Sequence, residues 1–402
     1  MPDSYFRKGF GLKGEIHGTL VSDYHSDLVD AVRARGSSVT AGGLTVRLAK
    51  EFGFCYGVDR AVEYAYETRA KFPDKRICLV GEIIHNPHVN AKLAAMGVSI
   101  LRRSEAGEFD FTGITVDDAV IMPAFGVTKE AFDQLRALGC VLVDTTCGSV
   151  LNVWKRVESY ARDGLTAVIH GKYQHEETKA TASQVTKFPG GRFLVLRDMA
   201  EARVICGFIE GRVTAEEVCS RFAAAASPRF DPIGDLERIG VANQTTMLSG
   251  ESLAIAAELR LAMAARYGEE EAGRRFRTFD TICSATQDRQ DAVLKLLEDA
   301  VDLMIVIGGY NSSNTTHLAA LCAKRATTFH VEDSAAIEPV AGSIRHRPVG
   351  ARDEEVTAGW LRPEVNVVGV TAGASTPNNK VGETIERVFA TRGIDLGAAL
   401  AT

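Results

Sequence analysis

The sequence predicts an α/β fold, and three observations carry that prediction. Short β-branched runs recur from about residue 44 to about residue 392, with segments of helical periodicity between them. The runs are continuously apolar rather than alternating, as strands buried on both faces of a parallel sheet are. One local pattern, an apolar run stepping through a cysteine into a helix, occurs three times at wide separation. That repetition suits three similar α/β domains around a shared centre, each presenting the C-terminal edge of its sheet, where such sheets bind ligands.

Taken in order, residues 1–43 carry little regular pattern and are expected to form an N-terminal extension. SDLVDAVRARG within them reads as a short amphipathic helix ended by a glycine. Strands are then expected at TVRLA, RICLVGEI, AVIMPAF, CVLVDTT, TAVIH, RFLVL, RIGVANQ, LMIVIGG, TTFHVE and VNVVGVTAG. The domains are placed at 44–147, 148–282 and 283–402, with KFPGGRF and AAAASPRFDPIGD as turn-rich stretches inside the second. Val58, Ala61, Val62 and Ala65 form an apolar stripe after Cys55, and Val150, Val153, Trp154 and Val157 repeat it at the same offsets after Cys147. After Cys283 the stripe of Val293, Leu296, Leu297 and Ala300 starts two turns later, a looser match.

With 402 residues, 46% apolar and 24% charged, the chain can bury a core in each of two or three units. No apolar stretch approaches the ~18–20 residues that cross a bilayer. The first 43 residues mix Arg7, Lys8 and Lys13 with Glu15, Asp23, Asp27 and Asp30, without the profile of a targeting peptide. A cytoplasmic protein with no membrane partner is therefore expected. A formal net charge of −6 and the lack of a basic cluster argue against nucleic acid, and small anionic substrates remain open.

Eight cysteines without a secretion signal read as buried thiols or metal ligands rather than as a disulfide framework. Cys78, Cys140, Cys206, Cys219 and Cys322 sit among apolar or helical residues and are expected in the core. Cys55, Cys147 and Cys283 differ because each opens a helix, where unpaired N–H groups and the helix dipole favour thiolate, the metal-binding form. Four thiolates would close a tetrahedral zinc or iron–sulfur site, whereas three leave one metal position free for a substrate.

Other strand-to-helix steps hold polar residues. Ser312, Ser313, Asn314 and Thr315 follow LMIVIGG, and Ser375 and Thr376 follow VNVVGV. Each cluster alone is a plain helix cap, but together, at strand ends, they form neutral nests suited to phosphate or diphosphate. His85 and His175 end further strands. Glu177 follows His175 closely, so that loop offers an anion contact and a proton donor, or is simply solvated along with Glu176 and Lys179. Gln244, Thr245 and Thr246 follow RIGVAN as either a proton relay or an N-cap.

In this order EFGFCYGVDRAV, EIIHNPHVN, VDTTCGSV, HEET, NQTT, TICSATQDRQ, NSSNTTHL and TAGAS resemble the 4-hydroxy-3-methylbut-2-enyl diphosphate reductase family of the non-mevalonate isoprenoid pathway. The resemblance covers nearly everything after residue 45. It implies a trefoil of three α/β domains with parallel sheets around a central [4Fe–4S] cluster held by Cys55, Cys147 and Cys283. It implies further that His85, His175, Ser312, Ser313, Asn314 and Ser375 hold the substrate's diphosphate, that Glu177 donates the proton, and that Thr245 relays it to the hydroxyl. The implied reaction is a two-electron reductive dehydroxylation to isopentenyl and dimethylallyl diphosphate, with a ferredoxin or flavodoxin as donor. Phe125 in PAFGVT stands where many bacterial members carry a histidine, a feature of the cyanobacterial and plastid branch, and it removes one diphosphate contact. An iron–sulfur hydro-lyase without external electrons, or a non-catalytic iron–sulfur sensor, are the alternatives.

Overall fold

A computed structural model of the chain describes residues 4–104 and 107–397. The last residues of the 283–402 domain expectation and the first of the 1–43 extension therefore lie outside the described residues. The chain forms two compact units, and each draws on several stretches of sequence.

One unit takes the chain through Lys8, then Asp74–Ile83 and Val98–Cys283. It contains two sheets. In the five-stranded sheet the order is Tyr5–Phe6, Val141–Asp144, Ala119–Met122, Ile77–Val80, Val98–Leu101, with every pairing parallel. Ile77–Val80 and Ala119–Met122 are buried at every position, which is why their sequences do not alternate. The four-stranded sheet runs Phe276–Thr278, Ile239–Asn243, Thr166–His170, Phe193–Leu196, again all parallel. Helix Gly148–Arg162 packs on it through Val153, Val157 and Tyr160. A Cβ on Gly240 would lie 2.4 Å from the Tyr160 ring, so the glycine lets the helix sit on bare backbone. Tyr160 then donates its hydroxyl to the Val241 carbonyl at 3.0 Å.

The other unit comprises Gly9–Pro73, Ile84–Gly97 and the chain from Ser284 onward. Its main sheet runs Thr327–Val331, Leu303–Ile307, Val367–Ala372, Leu44–Leu48, Ser38–Ala41, parallel except for the last pair. A small antiparallel sheet joins Ile337–Glu338, Ser343–His346 and Glu355–Ala358. Leu44–Leu48, expected to open the first domain, pairs instead with Val367–Ala372 near the end of the chain, Val46 facing Val368. Parallel neighbours are chosen by which crossover packs best, not by proximity in sequence. Consecutive thirds of the chain are therefore not the sheet-forming groups.

All ten expected strands form, and the chain is an α/β protein with three mainly parallel sheets. The expected helix in the extension is present as Asp27–Ala34, capped by the Ser26 side chain and followed by Gly36 at a φ of 78°. Helix Lys13–Tyr24 was not expected. It carries Gly14 and Gly18 and buries only Ile16 and Tyr24, so it has no apolar stripe to read. Tertiary contacts hold it. Buried Glu67 accepts the Phe10 and Leu12 N–H groups, and Tyr66 donates to Asp23 at 2.8 Å. Two expectations about burial are corrected. Cys219 is exposed because it lies on the outer side of the amphipathic helix Ala215–Phe222, whose Val218 and Phe222 face inward. Ala300 is exposed because its helix ends at Leu296.

Candidate functional site

Cys55, Cys147 and Cys283 are set apart from the other thiols by their surroundings. Cys78, Cys140, Cys206 and Cys322 are buried, and burial pushes their thiols up, to about 12 for Cys206 and Cys322. Such thiols stay protonated and inert. The three helix-opening cysteines are half-buried instead. Cys55 and Cys147 occupy the N-cap positions of helices Tyr56–Lys71 and Gly148–Arg162, and neither spends its side chain on capping. Cys283 directly precedes helix Ser284–Leu296.

The backbone of each is fixed in the same way, by its own N–H donating to a carbonyl in the loop that leaves a neighbouring strand. Cys55 donates to Ala374 at 3.2 Å, Cys147 to Ala124 at 2.9 Å, and Cys283 to Thr245 at 3.3 Å. The thiol is thus carried at a strand end on a pinned main chain. Among the described residues no three His, Cys, Asp or Glu side chains gather around a single metal ion. A four-iron cluster asks for a different arrangement, one thiolate per iron. Half-buried thiols on pinned helix starts fit that donor set; the four buried ones do not.

Within the first unit, the loop before Cys147 is braced by Asp144, which is 7% exposed. Its Oδ1 accepts the Thr146 N–H at 3.0 Å and the Thr146 hydroxyl, while Oδ2 accepts the Tyr5 hydroxyl at 2.6 Å and faces Arg7 at 3.5 Å. The extension therefore props the Cys147 loop through a carboxylate that motif reading passed over. The aspartate directly before two threonines and a cysteine was the available signal. Asn243 and Thr281 were missed in the same way. The Thr281 hydroxyl donates to Asn243 Oδ1 at 2.7 Å and ties the strand end at Asn243 to the loop entering Cys283.

Glu177 is 2% exposed and its Oε1 accepts the Thr245 N–H at 2.6 Å. Glu176, its polar neighbour, turns instead to Arg103 at 3.0 Å. The two adjacent carboxylates thus have different surroundings, with Glu177, the one expected to act, being the buried one. Thr245, 4% exposed, connects the buried acid to a cysteine, since its N–H goes to Glu177 and its carbonyl receives Cys283. Gln244 holds the neighbouring turn by accepting from Lys172 N–H and Thr178 hydroxyl, both at 3.1 Å. His175 caps helix Glu176–Ser183 with Nδ1, which accepts the Glu177 N–H at 3.2 Å. That fixes the tautomer, with the proton on Nε2. Phe125 packs edge-on against the His175 ring, centroids 5.7 Å apart.

Within the second unit, strands Leu303–Ile307 and Val367–Ala372 end side by side and their exits build a nest. Ser312 caps helix Ser313–Ala323 by accepting the Thr315 N–H. Asn314 is 2% exposed; its Oδ1 accepts the Ala374 N–H at 2.9 Å, and its Nδ2 has no hydrogen-bond partner among the described residues. A buried donor without an acceptor is costly, so this amide N–H is available to an acceptor that binds in the nest. Ser375 donates its hydroxyl to the His85 carbonyl at 3.2 Å. A Cβ on Gly309 would meet that same carbonyl at 2.6 Å, so the glycine admits the His85 loop to the nest. His85, Ser312, Asn314 and Ser375 are brought together here, with Ser313 as the first helical residue. His175, Glu177 and Thr245 are brought together in the first unit.

Strand-end clusters of neutral donors, a buried carboxylate on a hydroxyl-bearing loop and half-buried thiols at helix starts are features of an α/β enzyme. The chain matches the LytB protein family over residues 46–389 and belongs to it. A relative from Gloeobacter violaceus named 4-hydroxy-3-methylbut-2-enyl diphosphate reductase is 45% identical over 395 residues, covering 97% of this chain and 93% of its own. A Synechococcus relative of the same name is 46% identical over 391 residues, 96% of each chain. A solved structure of (E)-4-hydroxy-3-methyl-but-2-enyl diphosphate reductase, described as the terminal enzyme of the non-mevalonate pathway, is similar with a TM-score of 0.52 at 26% identity. It covers 87% of this chain and 99% of that one. The corresponding reductase from Plasmodium falciparum, at 19% identity and a TM-score of 0.62 over 85% and 86% of the two chains, shares the fold.

Proposed function

We propose that this chain reduces (E)-4-hydroxy-3-methylbut-2-enyl diphosphate to isopentenyl and dimethylallyl diphosphate. The observation that carries the reading is the buried Glu177 carboxylate, fixed on the same residue, Thr245, that pins Cys283. In the balanced reaction one C–O bond breaks and one C–H bond forms, two electrons and two protons are consumed, and the oxygen leaves as water. Cys55, Cys147 and Cys283 would hold a [4Fe–4S] cluster. When bound, that cluster supplies the electrons singly and offers a Lewis-acidic iron corner.

The chain's own residues then do the following. Asn314 Nδ2, the Ser312 and Ser313 hydroxyls, the Ser375 hydroxyl once turned from the His85 carbonyl, His85 and the His175 Nε2–H hold the diphosphate by neutral donors. Glu177 Oε1 is engaged by an N–H, so the transferable proton sits on Oε2, and the Thr245 hydroxyl passes it toward the departing oxygen. The electrons would come from a ferredoxin or flavodoxin. We place the protein in the cytoplasm, in keeping with eight free cysteines; no helix among the described residues is long and apolar enough to cross a membrane.

Anaerobic reconstitution tests the reading with two variants. Cys147→Ser is expected to abolish both the cluster's visible absorbance and turnover. Glu177→Gln is expected to keep the cluster and lower turnover by about 10²–10³-fold. Turnover with no added reductant would turn the reading toward a hydro-lyase, and a cluster without turnover of this substrate toward a sensor.

A further inference from the structure

Helix Ser284–Leu296 buries a guanidinium. Arg289 is 4% exposed, and its donors are spent on main-chain carbonyls: Nε and Nη2 on Gly53 at 3.3 and 2.7 Å, Nη2 on Phe54 at 3.2 Å, and Nη1 on Ala285 at 2.8 Å. Gly53 and Phe54 are the two residues before Cys55. The fork thus clamps the approach to one thiol from the helix that begins directly after another, Cys283. The other side of the same loop is held by the turn after Val367–Ala372, through Gly53 N–H to Ala372 at 3.5 Å and Cys55 N–H to Ala374. Gly53 has a φ of 78°, and a Cβ there would press on the Thr376 carbonyl at 3.3 Å and Asn378 Oδ1 at 2.8 Å.

Carbonyls satisfy the N–H donors without cancelling the charge. A guanidinium stays protonated in any protein environment, and a buried charge without an opposite one is strongly unfavourable. Asp59, on the first turn after Cys55, interacts with Arg289 electrostatically without hydrogen-bonding to it, and burial pushes the Asp59 carboxyl up, which weakens it as a counter-charge. Further negative charge bound beside Cys55 would be favourable. A four-iron cluster with its thiolates carries net negative charge and would provide it.

We propose that Arg289 is a positioning residue for Cys55 and the counter-charge of the cluster that this thiol holds. The proposal rests on the cluster reading above. A buried positive charge favours the more negative, reduced cluster and so raises its reduction potential. Lysine would keep the charge but lose the fork across two successive carbonyls.

The test compares the parent, Arg289→Lys and Arg289→Gln after anaerobic reconstitution. Two quantities are read: the rate of iron loss to a strong chelator, and the cluster's midpoint potential by EPR-monitored titration. Arg289→Gln should lose iron at least about tenfold faster than the parent and titrate at a more negative potential. Arg289→Lys should lose iron faster while keeping a potential close to the parent's. A parental potential in Arg289→Gln would overturn the proposal, because a merely structural prop changes retention without moving the potential. If the Gln variant holds no cluster to titrate, the Lys variant decides, and a parental rate of iron loss there overturns the proposal. A parent that takes up no cluster would instead sink the cluster reading, and that result is read from the parent alone.

Discussion

Asn314 shows how a single side chain reports on an absent partner. Its Oδ1 is committed to the Ala374 N–H, which fixes the amide's orientation and leaves Nδ2 buried and unanswered. A diphosphate oxygen would answer it. Asn314→Asp keeps the acceptor but replaces the donor with an oxygen that repels the ligand. We expect this variant to raise KM for the diphosphate substrate by about tenfold or more, with a smaller effect on kcat, as loss of one good polar contact to a charged group does. Steady-state kinetics would check this, and an unchanged KM would remove Asn314 from the diphosphate contacts. At this scale residue type was legible and orientation was not. HEET offered two adjacent carboxylates, of which Glu177 was expected to act, but its burial to 2% exposure and the turn of Glu176 to its arginine are visible only in the fold. Phe125 could be recognised as a departure, but its edge contact with His175 depends on two loops meeting.

At the scale of the element, the helices that follow Cys55, Cys147 and Cys283 each start where a strand exit hands the backbone to a neighbouring loop. The repeated N–H contact of the three cysteines is a property of that junction and not of any motif. The brace behind Cys147 is the clearest case, because the Asp144 carboxylate serves two donors of Thr146 and one of Tyr5 at once. Removing it in Asp144→Ala would leave buried donors unanswered. That variant should lower the unfolding free energy of the apo protein by about 1–3 kcal/mol, read as a shift of the urea midpoint at unchanged slope. A midpoint within error of the parent would show that the brace carries no net stability. The extension was nearly opaque to sequence reading for a related reason. Helix Lys13–Tyr24 has no apolar periodicity, and its position depends on Glu67 and Tyr66 of another helix. Strands of two to four residues, such as Ile337–Glu338 and Glu355–Ala358, were likewise too short and too polar to register.

Over the whole molecule, pH should act through paired carboxylates before it reaches the site. The Arg76 guanidinium, in a two-pronged hydrogen bond with Asp118, holds that carboxyl down at about 2, against an ordinary value near 3.8. A depressed folded-state value means the stabilisation is complete above the ordinary value and is lost as pH falls from about 4 toward 2. Arg76 is half exposed, so solvent screening reduces the effect well below what the shift alone would give. The parent should therefore lose more stability than Asp118→Asn between pH 5 and pH 2.5 in denaturant titrations of the apo protein, and parallel losses would refute the assignment. By itself the amino-acid sequence determined the α/β class, the ten principal strands and the eight ordered motifs, because burial on both faces of a parallel sheet and the chemistry of thiols, hydroxyls and carboxylates are written in residue type and spacing. Only the tertiary structure decided that Leu44–Leu48 joins Val367–Ala372, that a buried Arg289 backs Cys55, and that Glu177 meets Thr245 through the main-chain N–H. Those are pairings between segments far apart in the chain, fixed by which surfaces pack and which donors find acceptors, and no local pattern encodes them.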